Sequence, residues 1–552
     1  MKFLSKYRIP VTLEEKKNRR KERLLLILSG IILGISFPPF PFPFTLLIFI
    51  GLIPYLIVIN RRTTLASISR ATFLFSLIFS LITIYWVGSW SSEADPYLML
   101  AGVALLLAYP TVMLIPSTLF FLARKVFPKI DALWFYPIFW VTLEYLLTQT
   151  DLRFPWLLLG HGLAKFNLFI QGADIIGTNG LSLVVVYINV LLFKAFFEKK
   201  NSTKFNLTPA LIALIIFLCL MIYGIFKETS FKISETKVKV GIVQPNLNPW
   251  DKWSAGNLGD LLNLYIGLSQ ECIDDGAEVI LWPETALPVY AFGGAYSTLE
   301  NSIFRFLDTN KVSLLTGMPD IIYYFDKNKI PQDAKFTKQG GYYYTTYNAV
   351  LGLNPGSRNI QRYGKMKLVP LGERVPFVDQ FAFLGDLLKW GVGITGWNIG
   401  KDTTVFKIST DKIDTIKVGG LVCYESVDPV FVTAFVQQGA ELITVVTNDS
   451  WYGKSSGPYQ HKDFAMLRAV ENRRSVVRCA NGGVSCIINA KGEILVETDM
   501  FLKTTLVGEV PIQDETTFYS ENPLIVPVLC SVFSLWIFGL NILIWLKNKF
   551  KM

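Results

Sequence analysis

The chain has 552 residues, a formal net charge of +10 and a hydrophobic content of 51%. Its mean hydropathy of +0.39 excludes an ordinary soluble enzyme, and its length allows several domains at ~150 residues each. The basic excess does not require nucleic acid, because Lys and Arg cluster in particular loops, as positive-inside topology and anionic lipid demand.

Apolar runs predict eight transmembrane helices, over residues 23–36, 44–59, 71–90, 97–122, 133–147, 175–197, 207–226 and 524–546. The first and fifth are short. The fourth carries Pro110 and Pro116, so a kink is expected there. A cleavable signal peptide is a poor reading of the first run, which leads straight into further apolar segments without a small-residue cleavage site.

Basic residues precede the first run (Lys16, Lys17, Arg19, Arg20, Lys21, Arg23) and follow the second (Arg61, Arg62, Arg70), the fourth (Arg124, Lys125, Lys129) and the sixth (Lys199, Lys200, Lys204). Lys547, Lys549 and Lys551 close the chain, while the alternate loop "PPFPFPF" has no base and "SSEADPY" is acidic. The positive-inside rule then places both termini in the cytoplasm. Four parts result: a basic cytoplasmic tail (1–22), a seven-helix membrane region (23–226), an extracytoplasmic domain (237–512) and a last membrane helix (524–546).

Residues 237–512 change character. Short β-rich runs appear, among them "KVKVGIVQ", "EVILWPE", "KVGGLVCYES" and "ELITVVTND", separated by helix-like stretches such as 258–276 and 460–477. This alternation predicts a layered α/β domain around a central sheet. Six cysteines show no CxxC pair, and two histidines, His161 and His461, offer little to a zinc ion. No spacing nominates a disulfide.

Chemistry in α/β domains gathers at strand ends. "VILWPETALP" ends a strand with Glu284, "YGKMKLVPLGERVP" carries Lys365, Lys367 and Glu373, and "GLVCYES" carries Cys423. A thiol with a pKa near 8.5 is mostly protonated at neutral pH, so Glu284 is a candidate general base. A lysine would stabilise the thiolate and then a tetrahedral oxyanion, with the Tyr424 N–H as second donor. Glu425 either orients the lysine or positions a substrate amine. The bland alternatives are a small buried cysteine, a turn glutamate and a solvated lysine.

The ordered Glu, Lys and Cys resemble the triad of the nitrilase (carbon–nitrogen hydrolase) superfamily. "WPETALP", "KMKLVPLGERVP", "VCYES" and "TNDSWYGKSSGPYQHKDFAMLRAVENRRSVVRCANGGVS" look like the apolipoprotein N-acyltransferases within it, as do "GISFPPF", "VTLEYLLTQTDLRFPWLLLGH" and "GADIIGTNGLS". The resemblance implies Glu284 as base, Lys365 rather than Lys367 as triad lysine, and Cys423 as nucleophile. It implies supporting roles for Glu373, Glu425 and Tyr424, and substrate handling by Trp253 and Trp451. Leu371 and Tyr452 depart from the common Phe at their positions. The implied fold is an αββα sandwich on an eight-helix bundle. The implied reaction moves an acyl chain from a phospholipid, through a Cys thioester, to the N-terminal amine of a diacylated apolipoprotein. It uses no metal or organic cofactor and involves no nucleic acid. The expected form is a monomer in the bacterial inner membrane with its catalytic domain in the periplasm.

A membrane-anchored amidase using water is the first rival, and a non-enzymatic transporter or scaffold the second. His461 reads as a structural or helix-start residue. His161 has no visible partner. Glu144 and Asp174 read as interhelical or helix-end groups, and Arg153 as a phosphate contact or a solvated charge. Residues 291–296 and 391–397 are candidate lids.

Overall fold

The computed structural model describes residues 13–90, 96–198, 206–250, 258–338, 340–378, 380–381 and 396–550. Its membrane part contains α1 (Leu13–Ile35), α2 (Phe42–Asn60), α3 (Leu65–Thr83), α4 (Pro96–Val126), α5 (Tyr136–Gln149), α6 (Ala173–Phe196) and α7 (Thr208–Ser230). Among the described residues, six helices are long and apolar enough to cross a bilayer, namely α2, α3, α4, α6, α7 and the C-terminal Ile525–Phe550. The eight expected spans are not all reached on length and composition. The first lies in α1, whose opening turns are charged, and the fifth lies in α5, which has 14 residues.

Beyond the bundle lie β1 (Lys237–Gln244), α8 (Leu258–Asp274), β2 (Val279–Trp282), α9 (Ser297–Asn310), β3 (Ser313–Tyr324), β4 (Lys335–Thr337), β5 (Tyr342–Leu353) and β6 (Gln361–Gly364). They are followed by β7 (Val405–Ile408), β8 (Ile416–Val422), α10 (Pro429–Gln437), β9 (Leu442–Thr447), α11 (Ser456–Asn472), β10 (Ser475–Ala480), β11 (Cys486–Ile488), β12 (Ile494–Glu497) and β13 (Thr504–Pro511). Helix α12 (Ile525–Phe550) returns to the bundle.

The described residues form two sheets, not one central sheet. The first runs β13-β1-β2-β3-β5-β4, with β6 also on β5, and the second runs β12-β11-β10-β9-β8-β7. Strands β1, β2 and β3 are parallel, as are β8, β9 and β10. Their inner faces meet through Val238, Val240, Ile242 and Leu315 on one side and Phe406, Leu421, Val445 and Val477 on the other. Tyr265, Leu268, Phe304 and Leu307 of α8 and α9 cover the outer face of the first sheet. Residues of α10 and α11, such as Phe435 and Ala469, cover the second. The layers are α, β, β, α. Helix α11 ends earlier than periodicity suggested, because Arg473 takes a left-handed conformation (φ +48°) and releases the chain into β10.

The membrane and α/β parts share one apolar core. Trp86, Trp156, Phe37 and Leu163 of the bundle form a single cluster with Tyr424, Val427, Phe464 and Leu467. Helix α11 lies against the bundle along its length. At its start, Gln460 accepts from the indoles of Trp86 (3.1 Å) and Trp156 (2.8 Å) and donates to the carbonyls of Pro38 (2.9 Å) and Thr83 (3.0 Å). Just past its end, Arg473 pairs with Asp174 (2.6 Å) of α6. Between them, Glu471 accepts from the N–H (2.8 Å) and hydroxyl (2.6 Å) of Thr178. That is where α6 is interrupted at Gly177, whose φ of +64° suits glycine and whose Cβ would meet Tyr519. A carboxylate at this interior helix start satisfies amides that the break leaves open.

Candidate active site

Strand β8 delivers Cys423 at its C-terminal end. The residue takes φ +51° and opens the short 3₁₀ turn Cys423–Val427. A left-handed non-glycine residue is strained, and such strain collects at functional sites. Strand β2 delivers Glu284 two residues past Trp282, and the loop after β6 delivers Lys365. Gly317 of β3 lets Glu284 in, since a Cβ there would lie 2.6 Å from the Glu284 Cα.

The three predicted groups are neighbours. Lys365 Nζ is 3.6 Å from Glu284 Oε1 and 2.8 Å from Glu373, and Lys365 is 1% exposed. Glu284 and Lys365 both act electrostatically on the Cys423 thiol. Asn348 donates to Glu284 (2.7 Å) and to Glu373 (2.8 Å), tying the two carboxylates together. The other Glu284 oxygen accepts from the Asn448 N–H at 3.0 Å. Glu373 also caps the Val369 N–H at 2.8 Å.

Charge states follow from these contacts. Burial raises the Glu284 carboxyl above its ordinary value, opposed by the Lys365 ammonium and supported by Glu373. Burial works against the Lys365 ammonium, but Glu373, Glu284 and Cys423 outweigh it and hold the group protonated. Burial and the Glu284 charge push the Cys423 thiol up, against the pull of Lys365. The resting site therefore holds a thiol beside a carboxylate of raised basicity, with a fixed cation next to both. That arrangement suits proton transfer from sulfur to Glu284 as a carbonyl is attacked.

Glu425 has a structural task. One oxygen accepts from the Tyr363 hydroxyl (2.7 Å), the Met366 N–H (2.7 Å) and the Lys367 N–H (3.0 Å), and the other from the Val422 N–H (2.9 Å). It is fully buried and stitches the Lys365 loop to the strand that ends in Cys423. Tyr424 stacks on Trp156 (6.2 Å, 16°) and donates its hydroxyl to the Arg153 carbonyl at 2.8 Å. The Trp451 ring meets Trp250 edge-on at 4.8 Å, and the Trp451 carbonyl accepts from Ser89 at 2.7 Å. Tyr452 packs edge-on against Trp86. Trp253 and residues 391–395 lie outside the described residues; in the other expected lid, Ala291 and Phe292 are buried.

A second network escaped the sequence reading. The Cys423 sulfur, an Asp449 oxygen and a His461 ring nitrogen lie within 4.8 Å of one another. His461 Nε2 is 3.1 Å from the Cys423 carbonyl and 2.9 Å from the Ser426 hydroxyl, and Nδ1 is 3.0 Å from Asp449 and 3.2 Å from Arg478 Nη2. The Asp449 carboxylate and the Cys423 carbonyl both only accept, so each ring nitrogen faces an acceptor for a proton. Burial and Arg478 lower the basicity of His461, and Asp449 opposes them. His461 thus ties the nucleophile's backbone to Asp449. Arg478 also donates to Asp449, whose carboxyl is held well below the usual range by Arg478 and His461 despite its burial. That guanidinium supplies the positive charge a metal ion would bring, so the donor set does not fit a metal.

Elsewhere, Glu144 accepts from Trp140 (3.1 Å) and the Leu159 N–H (2.8 Å), and His161 bonds to the Trp156 carbonyl (3.1 Å) and stacks on Phe464. The six cysteines are free.

Sequence profiles match both halves of the chain: "Apolipoprotein N-acyltransferase N-terminal domain" over residues 29–191 and "Carbon-nitrogen hydrolase" over residues 239–518. A protein of Chlorobaculum tepidum named apolipoprotein N-acyltransferase is 32% identical over 92% of this chain and 94% of its own length. One of the same name from Geobacter metallireducens is 30% identical over 91% and 92%. The crystal structure of an amidase from Nesterenkonia sp. overlaps 54% of this chain and 96% of its own, at 15% identity and a TM-score of 0.36. Six apolar helices and this kinship make the chain a multi-pass membrane protein. It belongs to the apolipoprotein N-acyltransferase family of carbon–nitrogen hydrolases.

Proposed function

We propose that this chain transfers an acyl group from a phospholipid to the N-terminal amine of a diacylglyceryl-cysteine lipoprotein, through a thioester on Cys423. In the first step Glu284 takes the thiol proton, sulfur attacks the ester carbonyl, and the C–O bond breaks. The proton passes from Glu284 to the departing lysophospholipid. In the second step the amine attacks the thioester, the C–S bond breaks, and Glu284 accepts the amine proton and returns it to sulfur. Lys365 and the Tyr424 N–H stabilise the oxyanion in both steps. Glu373, Asn348 and Glu425 are positioning residues, and Trp451 and Trp253 handle the substrates.

One observation carries this reading beyond its kinship. Connections of the bundle lie over the site: Trp156 stacks on Tyr424 in the nucleophile's turn, and Ser89 bonds to Trp451 in the turn after β9. A sulfur at the seam between bundle and sandwich suits acyl chains entering from the bilayer, with water held off the thioester. Helices α1 and α5 complete an eight-span bundle with both termini cytoplasmic and the sandwich periplasmic, in the inner membrane of a bacterium. The protein acts as a monomer, without metal or cofactor.

The test is intact-mass measurement of purified protein after phospholipid exposure, followed by a diacylated lipopeptide. One acyl mass should appear on the parent and not on Cys423→Ala. It should leave as triacylated peptide forms. Free fatty acid without triacylated product would instead mark a hydrolase. An acyl adduct on Cys423→Ala would remove the cysteine from the mechanism.

A further inference from the structure

Three cations gather on one side of the nucleophile's turn. Arg153 belongs to the loop after α5, and its carbonyl holds the hydroxyl of Tyr424, the residue next to Cys423. Lys367 stands two residues beyond Lys365, with its N–H fixed by Glu425 at 3.0 Å. Its ammonium is lowered by burial and by the nearby Arg153 charge, and sits 5.3 Å from the Phe431 ring centre. Arg374 follows Glu373 directly and donates to the Trp397 carbonyl at 3.3 Å.

Arg153 and Arg374 line one shallow pocket together with Asp151 and the apolar side chains of Met366, Leu368 and Pro376. Among the described residues, Asp151 is the carboxylate on that wall. One of its oxygens accepts from the Phe377 N–H (3.0 Å), and the other is 3.9 Å from Arg153 Nη2, too far for a hydrogen bond. Asp428 acts electrostatically on Lys367 and caps Phe431 of α10. The enclosed part of the pocket holds only about 20 Å³. A ligand seated here would lie across its mouth.

We infer that this mouth seats the phosphodiester of the acyl donor, with Arg153 and Arg374 gripping its oxygens, Lys367 adding charge, and Met366 and Leu368 meeting the glycerol end. The inference rests on the phospholipid reading above and deepens it by assigning the headgroup contact. Guanidinium forks match phosphate oxygens. In a phospholipid the phosphate lies a few bonds from the ester that Cys423 attacks. Holding it would register the ester carbonyl over the sulfur.

The experiment compares two donors with the same acyl chains, phosphatidylglycerol and the phosphate-free diacylglycerol, in identical detergent micelles. The readout is the initial rate of the acyl adduct on Cys423 by intact mass. The parent should favour the phospholipid. In Arg153→Gln and Arg374→Gln the phospholipid-to-diacylglycerol rate ratio should fall roughly tenfold or more, the loss expected of a charge-assisted hydrogen bond, mainly through KM. Arg153→Lys should keep part of the preference. An unchanged ratio in both Gln variants overturns the headgroup assignment while leaving the thioester chemistry in place. A parent indifferent to phosphate overturns it equally. A parent that forms no adduct with either donor overturns the acyl-transfer reading and this site with it.

Discussion

Replacing Glu425 with Gln separates two jobs for an acid beside the nucleophile. In the structure its carboxylate accepts from Tyr363, Met366, Lys367 and Val422. A glutamine oriented to keep the three bonds at one oxygen turns its NH₂ toward the Val422 N–H. Two donors then face each other in a fully buried place. An orphaned buried donor costs ~1–3 kcal/mol. At 1.36 kcal/mol per decade, that corresponds to a ~5- to 150-fold loss if the strain relaxes by shifting the Lys365 loop. The loss should appear in formation of the acyl adduct and recur in its discharge, because Lys365 serves both steps. The assay is stopped-time intact mass with phospholipid alone, then with lipopeptide added to preformed adduct. A lower thermal midpoint should accompany the slower first step. If Glu425→Gln formed adduct at the parent rate and slowed only its discharge to the amine, Glu425 would be an acceptor-handling group and the stitching argument would be wrong.

Asn348→Leu removes a donor that favours the Glu284 carboxylate, so Glu284 becomes harder to ionise. Its carboxyl already titrates above its ordinary value through burial, and adduct formation should fail as pH drops through that raised value. The variant should move this acid limb to higher pH, read from the pH profile of first-step rates; an unmoved limb would assign it to another group. Asp449 has a depressed carboxyl, so the stability it lends is present above the unfolded value near 3.9 and lost as pH falls through the lower folded value. Asp449→Asn should lower the midpoint by a constant amount above about pH 5, with the gap closing below about pH 4; a gap that widens with acid would contradict the Arg478 pairing. His461→Gln keeps a donor for the Cys423 carbonyl and should retain part of the activity, whereas His461→Leu should lose most of it. Equal retention by both would remove His461 from any positioning role.

Much of the site was readable because its groups end strands. Glu284 and Cys423 each close a β-rich run, and a run that stops at Pro or at a charged turn marks its own end. The partners that position them carry no such mark. Asn348 lies mid-strand in β5, Asp449 in a turn after β9, and Arg478 inside β10. Only the pairing of β8, β9 and β10 brings the last two beneath Cys423. The one available signal was "TND", two polar side chains directly after an apolar run, where parallel strands place functional groups. The doubled sheet was hidden for a related reason. Alternation announces strands but not which sheet each joins, and the resemblance, rather than periodicity, supplied the sandwich.

Helix α11 shows where reading by hydrophobicity fails. Its sequence, "SGPYQHKDFAMLRAVEN", looks like a surface helix, yet nearly all of it is buried. The reason is that it packs between a sheet and a membrane bundle, and its polar groups are paired across the seam. Gln460 is held by two indoles and two carbonyls, Arg468 donates to Val427 (3.0 Å) and Thr178 (2.6 Å), and Glu471 caps the broken α6. Each partner lies far away in sequence, so no local pattern could show that these charges are buried. The same pairing ties chemistry to the membrane. Arg468 joins the interruption of α6 to the carbonyl of Val427, which ends the turn begun by Cys423. Bundle and nucleophile are therefore braced by one guanidinium, and a sandwich cut from its helices would lose the bracing of the turn that holds the sulfur in its strained conformation.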